Sequence, residues 1–332
     1  MSRFKQHINE GTQFYFWTPT WKPKGVIYSV IDGKVVIEHD NIKDLKKHKL
    51  VIANFSWNQW DANVQNMCYD LLEEHGVNFL HLVGDPRWHQ TRPNMYFYPY
   101  HLYEGPDELT WPEYEADSFE KKYLVSCLNG VPRPHRVHNY MLLRKKLYYD
   151  QCLVNFHSFV ASWGDDTRGD DEPVPTDVWN EWLIIKETLP SFKPNVWRDV
   201  RHPAYTDSYI NVVAETTVVD QIYITEKTWK PIACGQLFLL VSNPNSIEHL
   251  RDMGVDTFDD IIDHKYYDNE LDFKTRLARM HKVLDDLVTQ DLHKIYQQTR
   301  DRRLKNHQNY FNCAFDNQNW HNQVVNIIEA NK

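Results

Sequence analysis

Cysteine is scarce in this chain and unevenly placed: five residues, at 68, 127, 152, 234 and 313, with no C-x-x-C spacing. An odd number without paired spacing argues against a disulfide framework and for the reduced thiols of a cytoplasmic protein. Excess positive charge is also missing. With 37 Lys and Arg against 46 Asp and Glu, the net charge of -9 lacks the footprint of a general nucleic-acid binder, although Arg300 to Lys305 (RDRRLK) forms a local basic run. No apolar run approaches the roughly 18 residues that a membrane span requires, and the opening MSRFKQHINEG has no apolar signal core. Nor does the sequence contain G-x-S-x-G, G-x-x-x-x-G-K-[ST] or H-E-x-x-H, an internal repeat or a low-complexity tract. His135 and His138 lie three apart, but among 17 histidines such spacings arise by chance, so no metal site is expected.

What is abundant is aromatic: 14% of residues, including 12 Trp. Indole faces stack on sugar rings, and they also fill ordinary cores. At 332 residues the chain is long enough for two domains. The first segment alternates patterns. Residues 26–30 and 34–38 flank Asp32-Gly33, a hairpin signal; then follow a strand at 50–55, a helix from about Asp61 to His75 closed by Gly76, and a strand at 77–83. Alternation of this kind predicts an α/β fold with a parallel sheet, whose ligands bind in the loops at the carboxyl ends of the strands. Those loops are 56–61 (SWNQWD) and 84–89 (GDPRWH).

The acidic, proline-containing stretch 104–120 reads as a connection, so the expected domains are 1–120 and 121–332. Beyond it come a strand at 122–128, the turn 129–136 (NGVPRPHR), a helix at about 137–149 and a strand at 153–160. The run 164–172 (GDDTRGDDE) reads as a solvated loop, with a metal-binding Asp-x-Asp site as the competing reading. Thr176 and Ser246 are expected helix caps, and residues 271–300 carry an approximate helical stripe.

Most informative is 209–244, YINVVAETTVVDQIYITEKTWKPIACGQLFLLVSNP, which reads as strand, polar turn, capped helix and buried strand. Thr225 suits an N-cap, and free N–H groups at a helix start bind anions. Lys227 adds a cation where the helix dipole does not call for one, which suggests a phosphate ligand. Glu215 and Glu226 offer acceptors to sugar or ribose hydroxyls. The alternative is an ordinary βαβ unit with a solvated first turn.

This Glu…Tyr-x-Thr-Glu-Lys pattern resembles the donor-binding half of α1,3-fucosyltransferase-like GT-B glycosyltransferases. It is similar, too, to phage and marine microbial proteins carrying T-E-K-T-[WF]-K-P-I. The resemblance covers about residues 121–260 and implies two Rossmann-like domains facing a cleft. It also implies that Glu226 and Lys227 contact the sugar nucleotide, Lys227 at its pyrophosphate, and that Arg136 opens the preceding helix onto the same group. Where the family has Glu-Asn-Ser, this chain has Glu215-Thr216-Thr217. Terminal helices packed across both domains are a further family expectation.

Metal-independent transfer needs cations and helix starts to neutralise the leaving diphosphate. Arg136, Lys227 and Thr225 supply that, with Arg133 at the same mouth, while Asn129 and Glu226 orient the ribose or sugar. The expected cofactor is none, the nucleotide-diphosphate sugar being a co-substrate. A base is expected from the N-terminal domain, with Asp61, Asp85 and His89 as candidates; each also reads as a surface or capping residue. The acceptor is a glycan or another hydroxyl, or a modified DNA base if RDRRLK meets phosphate. A non-catalytic sugar- or nucleotide-binding module of the same fold is the competing expectation.

Overall fold

The computed structural model describes residues 14–18, 26–31, 34–38, 45–46, 50–54, 66, 69–70, 72–103, 119–130, 132–156, 174–186, 200, 202–218, 221–312, 314–315 and 319–331. The chain is α/β and divides into two compact units, Met1–Glu104 with Gln318–Lys332, and Gly105–Asn317. The division falls at the head of the acidic stretch rather than at residue 120. The last helix, expected with the C-terminal domain, belongs to the first unit because Trp320 packs edge-on against Phe97 at 4.7 Å. Among the described residues no helix is long and apolar enough to cross a membrane.

Unit 1 is built on a six-stranded sheet, β3-β2-β1-β4-β5-β6. Strands β2 (Val26–Ile31) and β3 (Lys34–Glu38) form the expected antiparallel pair, with the turn residues 32–33 outside the described residues. The sequence patterns did not flag β1 (Phe14–Thr18, FYFWT), which pairs antiparallel with β2 and parallel with β4 (Leu50–Asn54). Parallel strands β5 (Phe79–Val83) and β6 (Met95–Phe97) complete the sheet. Helical residues 72–74 stop where Gly76 turns to φ 59°, a left-handed conformation that glycine adopts at little cost.

Unit 2 holds a four-stranded, wholly parallel sheet, β10-β9-β7-β8. Its strands are β7 (Tyr123–Asn129), β8 (Cys152–Phe156), β9 (Ser208–Ala214) and β10 (Leu237–Val241), and every residue of β9 and β10 is buried. Such continuous burial explains their unbroken apolar sequences. Helix α1 (Pro134–Arg144) follows β7 and starts earlier than the pattern suggested, because Pro134 occupies its first turn, where a missing N–H costs nothing. Val137, Tyr140 and Met141 of α1 pack on Phe156 of β8 and on Trp182 of α2 (Thr176–Ile185). Thr176 is the first residue of α2, not its cap.

Helix α3 (Glu226–Ala233) joins β9 to β10, and α4 (Ser246–Asp252) follows β10. Asn245, left-handed at φ 63°, precedes α4 in the position expected of Ser246. The 271–300 stripe resolves into α5 (Phe273–Val288) and α6 (Leu292–Gln298), with Asp291 accepting from Lys294 N at the break, while Leu271 stays exposed. Helix α7 (Arg300–Phe311) closes unit 2, and α8 (Trp320–Ala330) belongs to unit 1.

Strand order fixes where a site can form. From β7 the chain passes through α1 to β8 on one side, whereas from β9 it passes through α3 to β10 on the other. Neighbouring β7 and β9 are therefore the point where the order reverses, and their carboxyl ends bound a crevice in sheets of this type.

Candidate functional site

Seven expected donor-binding residues, Asn129, Arg133, Arg136, Glu215, Thr225, Glu226 and Lys227, lie at the ends of β7 and β9 or at the starts of α1 and α3. Glu215 is the hub. It is fully buried one residue past β9, and its backbone N–H continues the ladder by donating to Val241 O at 3.0 Å. Its Oε1 accepts from Thr225 N (2.9 Å) and Thr228 Oγ1 (2.6 Å), and its Oε2 from Thr225 Oγ1 (2.6 Å) and Thr216 N (3.2 Å). Four donors fill the roughly four lone-pair sites of a carboxylate. Instead of the expected hydroxyl contact, Glu215 stitches the turn after β9 to the start of α3.

Two arginines and a histidine gather on the same turn. Arg136 Nη2 (3.0 Å) and His135 Nε2 (2.8 Å) both bond to Glu215 O, and Arg133 Nη1 donates to Thr216 O at 2.8 Å. Arg136 is only 3% exposed, so the sequence-based expectation of a side chain outside the core is corrected. Its guanidinium lies against Gly130, where an added Cβ would stand 3.6 Å from Nη1.

Thr225 caps α3 as expected, accepting from Lys227 N at 3.3 Å. Lys227 Nζ reaches Thr216 Oγ1 (3.2 Å), Thr225 Oγ1 (3.1 Å) and Glu226 Oε1 (2.8 Å), and keeps 27% of its side chain exposed. An ammonium has three N–H donors, and all three are used here, two of them on neutral hydroxyls.

Asn129, at the end of β7, donates from Nδ2 to Asn155 O (3.3 Å) and Cys127 Sγ (3.4 Å), while its buried Oδ1 has no partner among the described residues. Burial pushes the Cys127 thiol up to about 11, so it serves as a neutral acceptor beneath Asn129 and Asn139.

The candidate bases fare differently. Asp61 and the acid run 164–172 lie outside the described residues. Asp85 is buried, accepts from Arg87 N (2.9 Å) and takes Arg87 Nε at 3.0 Å on each oxygen, so it caps the turn after β5 and pairs with its own neighbour. His89 Nδ1 accepts from Phe97 N at 3.1 Å, which leaves the neutral ring's proton on Nε2 and no lone pair for base work. Burial lowers its pKa further from the ordinary value. Arg302 is held by Asp256 and Asp260, and Arg303 is fully buried with Nη1 on Gly235 O (2.9 Å), so RDRRLK is not a free basic patch.

Sequence reasoning overlooked Thr228, whose only signal is its place three residues beyond the cap, and the part His135 takes in fixing Glu215 O. The chain matches no protein-family model, no curated protein and no solved structure.

Proposed function

We propose that the chain is a metal-independent glycosyltransferase of GT-B type, related to the fucosyltransferase-like enzymes, and that unit 2 takes the nucleotide-diphosphate sugar at the ends of β7 and β9. One observation carries this: Arg133, His135 and Arg136 from the start of α1 and Lys227 from the start of α3 meet on the backbone and hydroxyl of residues 215–216, at the reversal point of a parallel sheet. Three cations, a histidine and two helix starts that converge there suit a diphosphate leaving group, whose developing charge needs fixed donors.

Calorimetric titration with GDP, UDP and their sugars tests the proposal. Lys227→Ala removes a charge-assisted contact of about 1.5 to 3 kcal/mol. Diphosphate affinity is expected to fall at least tenfold with the melting temperature nearly unchanged, and nucleosides without phosphate are expected to respond little. Absence of any diphosphate binding at millimolar concentration sinks the proposal.

A second reading, a binding module of the same fold without catalysis, is favoured by the engagement of Asp85 with Arg87 and of His89 with Phe97. Donor hydrolysis or transfer above background removes it. A modified DNA base as acceptor loses the support it drew from RDRRLK, since Arg302 and Arg303 are spent on the fold.

A further inference from the structure

Asn243 stands two residues beyond β10 and is 2% exposed, yet among the described residues neither Nδ2 nor Oδ1 of its amide has a partner. Everything around that amide is tied down. Ser242 O accepts from Arg276 Nε (3.1 Å), Asn243 O accepts from Ser246 Oγ (2.8 Å), Pro244 fixes the next φ, and Asn245 N donates to Asp268 O (2.8 Å). The backbone is therefore held rigidly while a donor and an acceptor remain unused, in a position where a lost hydrogen bond is costly.

Register locates Asn243 relative to the cations. Val241 pairs with Ala214, and Glu215 N donates to Val241 O, so Asn243, two residues beyond β10, leaves the sheet at the same carboxyl-terminal edge as Thr216, two residues beyond β9. Thr216 is the residue whose carbonyl takes Arg133 and whose hydroxyl takes Lys227. On the other side of β9, at the end of β7, Asn129 Oδ1 is likewise buried without a partner among the described residues. Strands β7 and β10, whose carboxyl ends carry the two amides, are separated by β9, a span of roughly 10 Å at ordinary strand spacing.

We propose that Asn243 is a specificity-determining residue that reads an uncharged part of the ligand next to the diphosphate, through a group that presents a hydrogen-bond donor beside an acceptor. This deepens the nucleotide-sugar reading and rests on it. Both a nucleobase edge and a pair of neighbouring sugar hydroxyls have that chemistry, as an amide's two-point pairing with a base illustrates. A site built to bond such a group discriminates strongly against ligands that lack it.

The test titrates the wild-type protein and Asn243→Ala with inorganic pyrophosphate, a nucleoside diphosphate and the matching nucleotide sugar. Pyrophosphate affinity is expected to stay within about twofold, and affinity for the ligand carrying the recognised group is expected to fall roughly tenfold or more. A loss that first appears with the nucleoside diphosphate assigns the base; one confined to the nucleotide sugar assigns the sugar. Equal losses for all three ligands, or none for any, overturn the proposal while leaving the anion site standing. A wild-type protein that binds none of the three removes the anion site and this inference together. Asn243→Leu separates function from fold: an amide kept for a ligand predicts an unchanged or higher melting temperature, and a lower one in both variants assigns Asn243 a structural role and overturns the proposal.

Discussion

The two units use one construction rule with different outcomes. In unit 1 the parallel strands β1, β4, β5 and β6 are laid down in one direction across the sheet, and the polar residues after β5 satisfy one another, as Asp85 does with Arg87. In unit 2 the order reverses between β7 and β9, and the side chains there come from two helix starts that meet on one short turn. A carboxylate just past a strand end is therefore a local cap in one unit and a hub in the other. Topology, more than residue type, separates the two roles.

Acid distinguishes the units most strongly. Burial pushes His249 and His264 down to about 4 and His281 down to about 3 in unit 2, and His81 down to about 3 in unit 1. The stabilisation each neutral ring brings is complete above the ordinary histidine value near 6.5 and is lost as pH falls toward the folded value. Asp268, pushed up to about 6 by burial, acts in the opposite sense, binding a proton in the folded state before the unfolded one does. Among these groups the histidines of unit 2 outnumber its one opposing aspartate, so unit 2 is expected to lose stability more steeply than unit 1 as pH falls toward 5, each net proton taken up being worth about 1.4 kcal/mol per pH unit. Thermal unfolding at pH 7, 6 and 5, with hydrogen exchange assigning each transition, measures both slopes; equal slopes would break the comparison.

Removal of the hub comes next. Glu215→Ala strands two backbone N–H groups and two hydroxyls in a buried site, at an expected cost of about 3 to 5 kcal/mol. Urea unfolding should show it, and diphosphate binding should disappear with it. Arg136→Ala leaves Glu215 O with His135 as a remaining partner, so a loss of about 1 to 3 kcal/mol is expected together with weaker diphosphate binding. That double effect contrasts with Lys227→Ala, which should touch binding alone. The smallest change is expected from Asp85→Ala: about 1 to 2 kcal/mol for the lost cap and pair, read in unit 1, with diphosphate affinity unaltered. A drop in affinity there would give Asp85 a role beyond capping.

Local chemistry made much of unit 2 legible in the sequence. The runs that became β9 and β10, the Thr225 cap and the turn before α1 each carry a short-range signal, apolar continuity or a capping residue. What stayed hidden depends on distance along the chain. Nothing in the pattern tells that Glu215 bonds residues ten and thirteen positions on, or that Arg136 folds inward, because both follow from how strands are ordered. Strand β1 reads as an aromatic cluster until β2 and β4 flank it, and β6 is too short to show a period. Caps expected at Thr176 and Ser246 were one residue late, since Pro175 and Asn245 fill those positions by backbone geometry and make no side-chain bond.

Helix α3 is eight residues long, with Pro231 inside it, and alone in water such a segment would be mostly unwound. Glu215 fastens its first turn, Gly235 and Gln236 close its last, Arg303 holds Gly235 O, and Trp229 stacks on Phe315 at 5.8 Å. Fastened at both ends, the helix has no fraying terminus from which to open. Its interior amides should exchange with solvent deuterium only as fast as unit 2 unfolds as a whole, and the Lys227 ammonium should wait in place on every encounter, sparing an incoming anion any conformational delay.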